Sequence, residues 1–124
     1  MKDFPGLEFI QSDAADLPFK EGIFDGFVSC FLFHELPLNV RSHVIKEAHR
    51  VLKPHGVFAM TDALQKNESE LLSWALEKFP QDFHEPFFKN YTQNPIENLL
   101  KDQRFVSVDT QFAFLSKVVV AQRA

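Results

Sequence analysis

Apolar residues change their spacing several times along this chain, and each change marks an element. Leu7-Glu8-Phe9-Ile10 is a short extended run entered through the turn pair Pro5-Gly6. Ser12 to Asp16 reads as a loop, Leu17-Pro18-Phe19 carries the chain back toward the surface, and Lys20-Glu21-Gly22 is a polar turn. From Phe24 to Phe33 apolar and small residues run almost unbroken, Asp25 aside, which suits a strand buried on both faces of a parallel sheet. Val40, Val44, Ile45, Ala48, Val51 and Leu52 then recur at helical spacing, with Arg41, Lys46, Glu47 and Arg50 on the opposite face. Lys53-Pro54-His55-Gly56 stops that helix, and Val57 to Thr61 predicts a second buried strand closing on Asp62.

Asn67 with Glu70 has the form of a capping box, opening a helix whose inner face is Leu71, Leu72, Ala75, Leu76 and Phe79. Pro80 to Tyr91 is rich in Phe and Pro and has no clear period. Asn94-Pro95 predicts the next helix start, with Ile96, Leu99 and Leu100 facing inward. Val106 to Phe114 and Lys117 to Gln122 follow as strands, close enough to form an antiparallel hairpin through Leu115-Ser116. The order is strand, strand, helix, strand, helix, helix, strand, strand. Such alternation predicts an α/β sheet with an antiparallel pair at its edge.

Composition narrows this picture. A length of 124 residues suits one domain, and the 15 Phe residues serve core packing first and an apolar pocket second. With a net charge of −4 and no run of Lys and Arg, the chain has no electrostatic footprint for nucleic acid. No apolar stretch approaches the ~18 residues of a membrane helix. The single Cys30 excludes an intramolecular disulfide and fits a reducing, cytoplasmic setting.

Three segments together resemble class I S-adenosylmethionine-dependent methyltransferases. Phe9-Ile10-Gln11-Ser12-Asp13-Ala14-Ala15-Asp16-Leu17-Pro18-Phe19 is similar to the loop after their third strand. Phe24-Asp25-Gly26-Phe27-Val28-Ser29-Cys30-Phe31-Leu32-Phe33-His34-Glu35-Leu36 is similar to their fourth strand and the loop beyond it. Glu47-Ala48-His49-Arg50-Val51-Leu52-Lys53-Pro54-His55-Gly56 is similar to the helix and turn before the fifth strand, with His55 where the family usually has Gly. The nearest subgroup is the small-molecule enzymes similar to the ubiquinone and menaquinone methyltransferases.

The resemblance implies a Rossmann-like sheet, S-adenosylmethionine as cofactor and a small-molecule acceptor. It implies that Asp13 accepts a hydrogen bond from the adenine amino group while the Ala14 amide meets a ring nitrogen. Ser29, Cys30 and Phe31 would line the cofactor. His34 and Glu35 would face the acceptor, His34 as a general base on a hydroxyl or acidic carbon. The plainer alternatives stay open: Asp13 as a loop-turning residue, and His34-Glu35 as a loop fixture. A strained or shifted turn is expected at His55, because His tolerates left-handed backbone less well than Gly.

The sequence holds only Gly6, Gly22, Gly26 and Gly56, and no two have the Gly-x-Gly spacing that receives the methionine end of this cofactor. Residues 1–124 therefore read as an N-terminally truncated methyltransferase domain, from the third strand onward. In the family's sheet Leu7 to Ile10 would then have no neighbouring strand, so it must detach, slide beside the next strand or pair with another chain. The partners in view are a second copy and a separate N-terminal half. Two functions follow: methyl transfer that this chain does not perform alone, or a non-catalytic remnant that binds or dimerises. A metal site from His34, Glu35, His43, His49, His84 and Glu85 lacks the spacing of a known ligand motif.

Overall fold

The structure is a computed structural model, and it describes residues 6–78 and 87–124. Phe79, Phe83, His84, Glu85 and Pro5 of the Pro5-Gly6 pair lie outside the described residues. Four strands form one sheet: β1 (Phe24–Cys30), β2 (Leu52–Ala63), β3 (Phe105–Ala113) and β4 (Ser116–Arg123). The helices are α1 (Leu38–Val51), α2 (Glu70–Lys78), α3 (Phe88–Gln93) and α4 (Ile96–Asp102), with a 3-10 turn at Phe33–Glu35. The sheet order is β1-β2-β4-β3; β1 and β2 run parallel, while β4 pairs antiparallel with both β2 and β3.

The alternation of side chains along β2 sets the core. Phe58, Met60 and Asp62 turn to the buried face, where they meet Val119 and Ala121 of β4. Against this face lie Val44, Ile45 and Ala48 of α1, Tyr91 of α3 and Ile96 and Leu100 of α4, all buried. The helical spacing from Val40 to Val51 gave this apolar stripe, whereas Leu52, read as its last member, opens β2. On the face read as polar, Arg41 is wholly buried. It is held by donating Nε to the Phe33 carbonyl (3.0 Å), Nη1 to Asn90 Oδ1 (2.9 Å) and Nη2 to the Phe87 carbonyl (3.1 Å), and it lies over the Tyr91 ring. Burial outweighs nearby Tyr91 and Asp62 and lowers its pKa.

A second buried cation fastens the antiparallel end. Lys117 Nζ donates to Gln65 Oε1 (2.7 Å), Glu68 Oε2 (2.9 Å) and Glu97 (3.0 Å to each oxygen). Gln65 in turn donates to the Tyr91 and Asn94 carbonyls and accepts from the Ile96 amide. This corrects the helix starts expected from sequence. Ile96, at the head of α4, is capped by the distant Gln65, with Pro95 preceding it, while Asn94 donates instead to Asn90. Asn67 has φ 70°, and the Gln65 amide goes to Glu68, so Asn67 lies outside α2, which begins at Glu70.

Residues 7–10 form no strand: they pair with nothing in the sheet, and Leu7, Phe9 and Ile10 are exposed. Within the single chain the segment therefore does not slide beside β1. Conversely, α3 forms inside the aperiodic stretch, held through Tyr91, Asn90 and the Phe87 carbonyl. The turn before Val57 belongs to β2. Pairing jumps from Phe24–Leu52 to Gly26–Val57, so Lys53 to Gly56 loop out opposite Asp25, which pairs with Lys53 Nζ at 3.2 Å. Within that loop His55 sits at φ 67°, the strain expected there. At Gly56 a Cβ would stand 2.8 Å from the Lys53 carbonyl oxygen, so no larger residue fits without movement.

His55→Gly should therefore raise stability by about 1 kcal/mol, the cost of a non-glycine residue in left-handed backbone. The urea midpoint should rise with its slope unchanged. Gly56→Ala should lower that midpoint.

His49 supplies a pH test. Its ring packs edge-on against Phe105 (5.3 Å), and burial, then Arg123 and Arg104, lower its pKa from the ordinary 6.5. The native state thus binds fewer protons than the unfolded chain near this group. Its contribution is complete above 6.5 and is lost as pH falls from there toward the lowered native value. The urea midpoint should drop between about pH 7 and about pH 5, and His49→Gln should remove that part of the slope.

Candidate functional site

The carboxyl ends of the parallel strands β1 and β2 meet where both chains leave the sheet. Open α/β sheets bind ligands at this position. Phe31 follows β1 at φ 53°, with its amide donating to the Thr61 carbonyl at 2.8 Å. This left-handed step lets the chain turn at once into the 3-10 turn carrying His34 and Glu35. Asp62, fully buried at the end of β2, closes the turn from beneath: Oδ2 accepts from the Phe33 amide at 2.9 Å. Its Oδ1 accepts from His34 Nδ1 at 2.8 Å and from the Ala63 amide at 2.8 Å.

A carboxylate only accepts, so this contact places the imidazole proton on Nδ1 and leaves Nε2 as the basic nitrogen. Nε2 lies 3.9 Å from Glu35 Oε1, and the Glu35 side chain is exposed. Phe31, Phe88 and Tyr91 surround the imidazole with ring centroids 6.0 to 6.4 Å away. Tyr91 is fixed by donating its hydroxyl to the Ala63 carbonyl at 2.6 Å. Burial, then nearby Asp62, pushes that hydroxyl's pKa up. The arrangement is an oriented base in an aromatic surround, chemically suited to taking a proton from a hydroxyl or acidic carbon.

The structure brings His34, Glu35 and Phe31 to this one place. Cys30 beside them is a free, exposed thiol. Ser29 is only 7% exposed, and its Oγ is enclosed without a hydrogen-bond partner among the described residues. Asp13 lies in the loop before β1, where Oδ1 accepts from the Ala15 amide (2.8 Å) and its carbonyl accepts from the Asp16 amide (3.0 Å). Ala14 packs partly against the core. Asp62 was missed as a site residue by sequence reasoning. The signal available was an acidic residue ending a buried apolar strand next in order to a strand ending near a histidine. Among the described residues, no three or more His, Cys, Asp or Glu side chains come together as a metal site would require.

Comparison with known proteins bears on the fold and on the N-terminal half of the chain. A family model described as a methyltransferase domain matches residues 2–60. An uncharacterized methyltransferase of Synechocystis is 41% identical over 58 residues, covering 47% of this chain and 27% of that protein. A fatty-acid O-methyltransferase of Mycolicibacterium smegmatis is 46% identical over 59 residues, covering 47% and 20%. A ubiquinone/menaquinone biosynthesis C-methyltransferase of Brucella canis is 38% identical over 68 residues, covering 52% and 22%. Among solved structures, a SAM-dependent methyltransferase of Methanosarcina mazei superposes with TM-score 0.64 at 23% identity, over 90% of this chain and 65% of that one. The fold is therefore a Rossmann-like class I methyltransferase sheet. Residues 2–60 are similar to S-adenosylmethionine-dependent methyltransferases, and the matched segments span only 20 to 27% of the length of these three relatives.

Asp62→Asn tests the geometry directly. An amide nitrogen would face donors, so stability should fall by about 1–3 kcal/mol, the cost of leaving buried partners unsatisfied. In nitrogen-15 NMR the His34 ring should lose its fixed Nδ1–H form and show a mixture of tautomers.

Proposed function

We propose that this chain supplies the acceptor side of an S-adenosylmethionine-dependent methyl-transfer site for a small molecule, in a cytoplasmic setting. The observation that carries this is the His34 Nδ1–Asp62 Oδ1 bond of 2.8 Å at the mouth of β1 and β2. In this reading His34 Nε2 receives the acceptor's proton. Asp62 holds the ring and, with Glu35 near its outer nitrogen, stabilises the imidazolium that forms. Phe31 and Phe88 keep the acceptor's body in an apolar surround and water out. S-adenosylmethionine, when bound, supplies the electrophilic methyl group.

The residues present fit that cofactor in part. Asp13 and the Ala14 amide have the chemistry for its adenine edge. Ser29 Oγ, Cys30 and Phe31 stand where the resemblance puts the cofactor wall. The methionine end finds no Gly-x-Gly backbone within this sequence. In this reading the methionine end is received by an element outside residues 1–124, and these residues alone are assigned no turnover. A second reading, a non-catalytic module that binds or dimerises, is favoured by the same lack together with the open side of β1.

Calorimetric titration with S-adenosylhomocysteine separates them. The chain alone should bind no tighter than ~1 mM, and a fusion carrying a Gly-x-Gly strand–loop–helix unit ahead of Leu7 should reach ~1–100 μM. In that fusion His34→Ala should lower methyl transfer by roughly 10²–10⁴-fold, the usual worth of a positioned base. A well-folded fusion that binds cofactor yet loses nothing on His34→Ala would sink the catalytic assignment.

A further inference from the structure

We propose that a cleft at the amino ends of β1 and β2 binds a small hydroxylated phosphate ester, a sugar phosphate in kind. The cleft encloses about 540 Å³ between the last turn of α1, the turn after α4, the end of β4 and Glu21 ahead of β1. That size falls within the ~300–1,000 Å³ usual for small-molecule pockets. Because β4 runs antiparallel to β2 and Arg123 pairs with Phe105, the cleft lies at the end of the sheet opposite His34 and Asp62. Its walls are supplied by these elements, and the open edge of β1 is not among them.

The cations lining the cleft divide into those already engaged and those left over. Arg50 is engaged: it meets Glu47 Oε2 at 2.6 Å and donates to the Phe19 and Leu17 carbonyls. Arg123 uses Nη1 alone, on the Arg50 and Leu52 carbonyls, which leaves Nε and Nη2. The side chains of Lys46 and Arg104 make no hydrogen bond or ion pair among the described residues. His49 registers the surplus. Its ring lies partly buried against Phe105, and after burial it is Arg123 and Arg104 that lower its pKa.

The remaining donors select the ligand's charged end. Guanidinium forks match phosphate oxygens, and a phosphate monoester carries about −1.5 to −2 charge, enough to engage Lys46, Arg104 and Arg123 together. The same walls select its body. Glu21 and Asp102 also make no ion pair among the described residues, and carboxylates only accept, so they suit hydroxyl groups and repel a second anionic group. The cleft is larger than inorganic phosphate, which leaves room for that hydroxylated part. Arg104 is held ready in its turn: it sits at φ 67°, and its amide donates to the Lys101 carbonyl at 3.0 Å. A non-glycine residue kept in left-handed backbone is costly, and such positions cluster at ligand clamps.

Nitrogen-15 NMR of the His49 ring in the full chain tests this with glucose 6-phosphate, inorganic phosphate and glucose. None of them is a methyl donor, so the outcome is separate from that of the proposed function. Glucose 6-phosphate should move the His49 signals with a Kd of ~0.1–1 mM. It should also raise the midpoint of the ring's titration by about 0.5 or more, since a bound anion favours the imidazolium. Inorganic phosphate should bind at least ~10-fold more weakly, and glucose should leave the signals unmoved. Arg104→Gln should weaken glucose 6-phosphate binding at least ~10-fold, whereas Lys66→Gln, an exposed cation outside the cleft, should not change it. Unmoved His49 signals at ~10 mM glucose 6-phosphate, equal binding of inorganic phosphate, or equal losses in the two variants would each overturn the assignment. Should Arg104→Gln fail to fold, Arg104→Gly removes the same cation and relieves the left-handed backbone.

Discussion

The carboxylate of Asp62 is the point at which sheet, turn and site are tied together. It is buried and accepts from three N–H groups: the Phe33 amide, the Ala63 amide and His34 Nδ1. A buried carboxylate is costly unless its lone pairs are met. The 3-10 turn over the end of β1 is therefore obliged to close where it does. One acceptor fixes the direction in which the chain leaves both parallel strands, and the imidazole inherits its orientation from that constraint.

Around this centre the polar interior is organised in two linked sets. Arg41 joins the 3-10 turn to α3 through the Phe33 and Phe87 carbonyls and Asn90, while its guanidinium lies over Tyr91. Gln65 and Lys117 join the end of β2 to α3, α4 and β4. Tyr91 touches both sets, since its ring meets Arg41 and its carbonyl meets Gln65. Short helices such as α3, six residues long, gain little from propensity and are held by tertiary contacts. Losing one of these buried partners leaves the other charged or polar group unpaired, a heavier penalty than the bond itself is worth.

What the sequence disclosed follows the same physics. Runs governed by local periodicity were legible as elements: α1 from its apolar stripe, β2 and β1 as strands from their apolar stretches, and the terminal hairpin from its spacing. Burial of those two strands on both faces was wrong, since Val28 and Val57 are exposed. Elements fixed by distant partners were not legible. Arg41 looks like a surface residue until a turn and a helix supply it with acceptors. Leu7 to Ile10 reads locally as a strand, and the want of a neighbour came only from the resemblance, not from its pattern. His55 was legible as strain because a non-glycine residue occupied a turn that resembles a glycine pair. At the site, His34 and Glu35 could be picked out by their place after a buried strand. Asp62 lies 28 residues from His34, and nothing local in the chain reports that separation closing to 2.8 Å.

The position of β4 carries a consequence for how the chain reaches this state. It is the last strand in sequence, yet it lies between β2 and β3, with Val57 to Ala63 paired to Ser116 to Gln122. During synthesis every other strand emerges before the one that joins them, so until residues 116–123 leave the ribosome β2 has its parallel neighbour alone. Pairings this distant along the chain form slowly, because loop closure must precede the contacts that reward it. The nascent chain thus passes through an interval in which the Lys117 acceptors Glu68 and Glu97 are made but their cation is not. Until residues 116–123 are made, β2 and β3 lack the strand that joins them into one sheet.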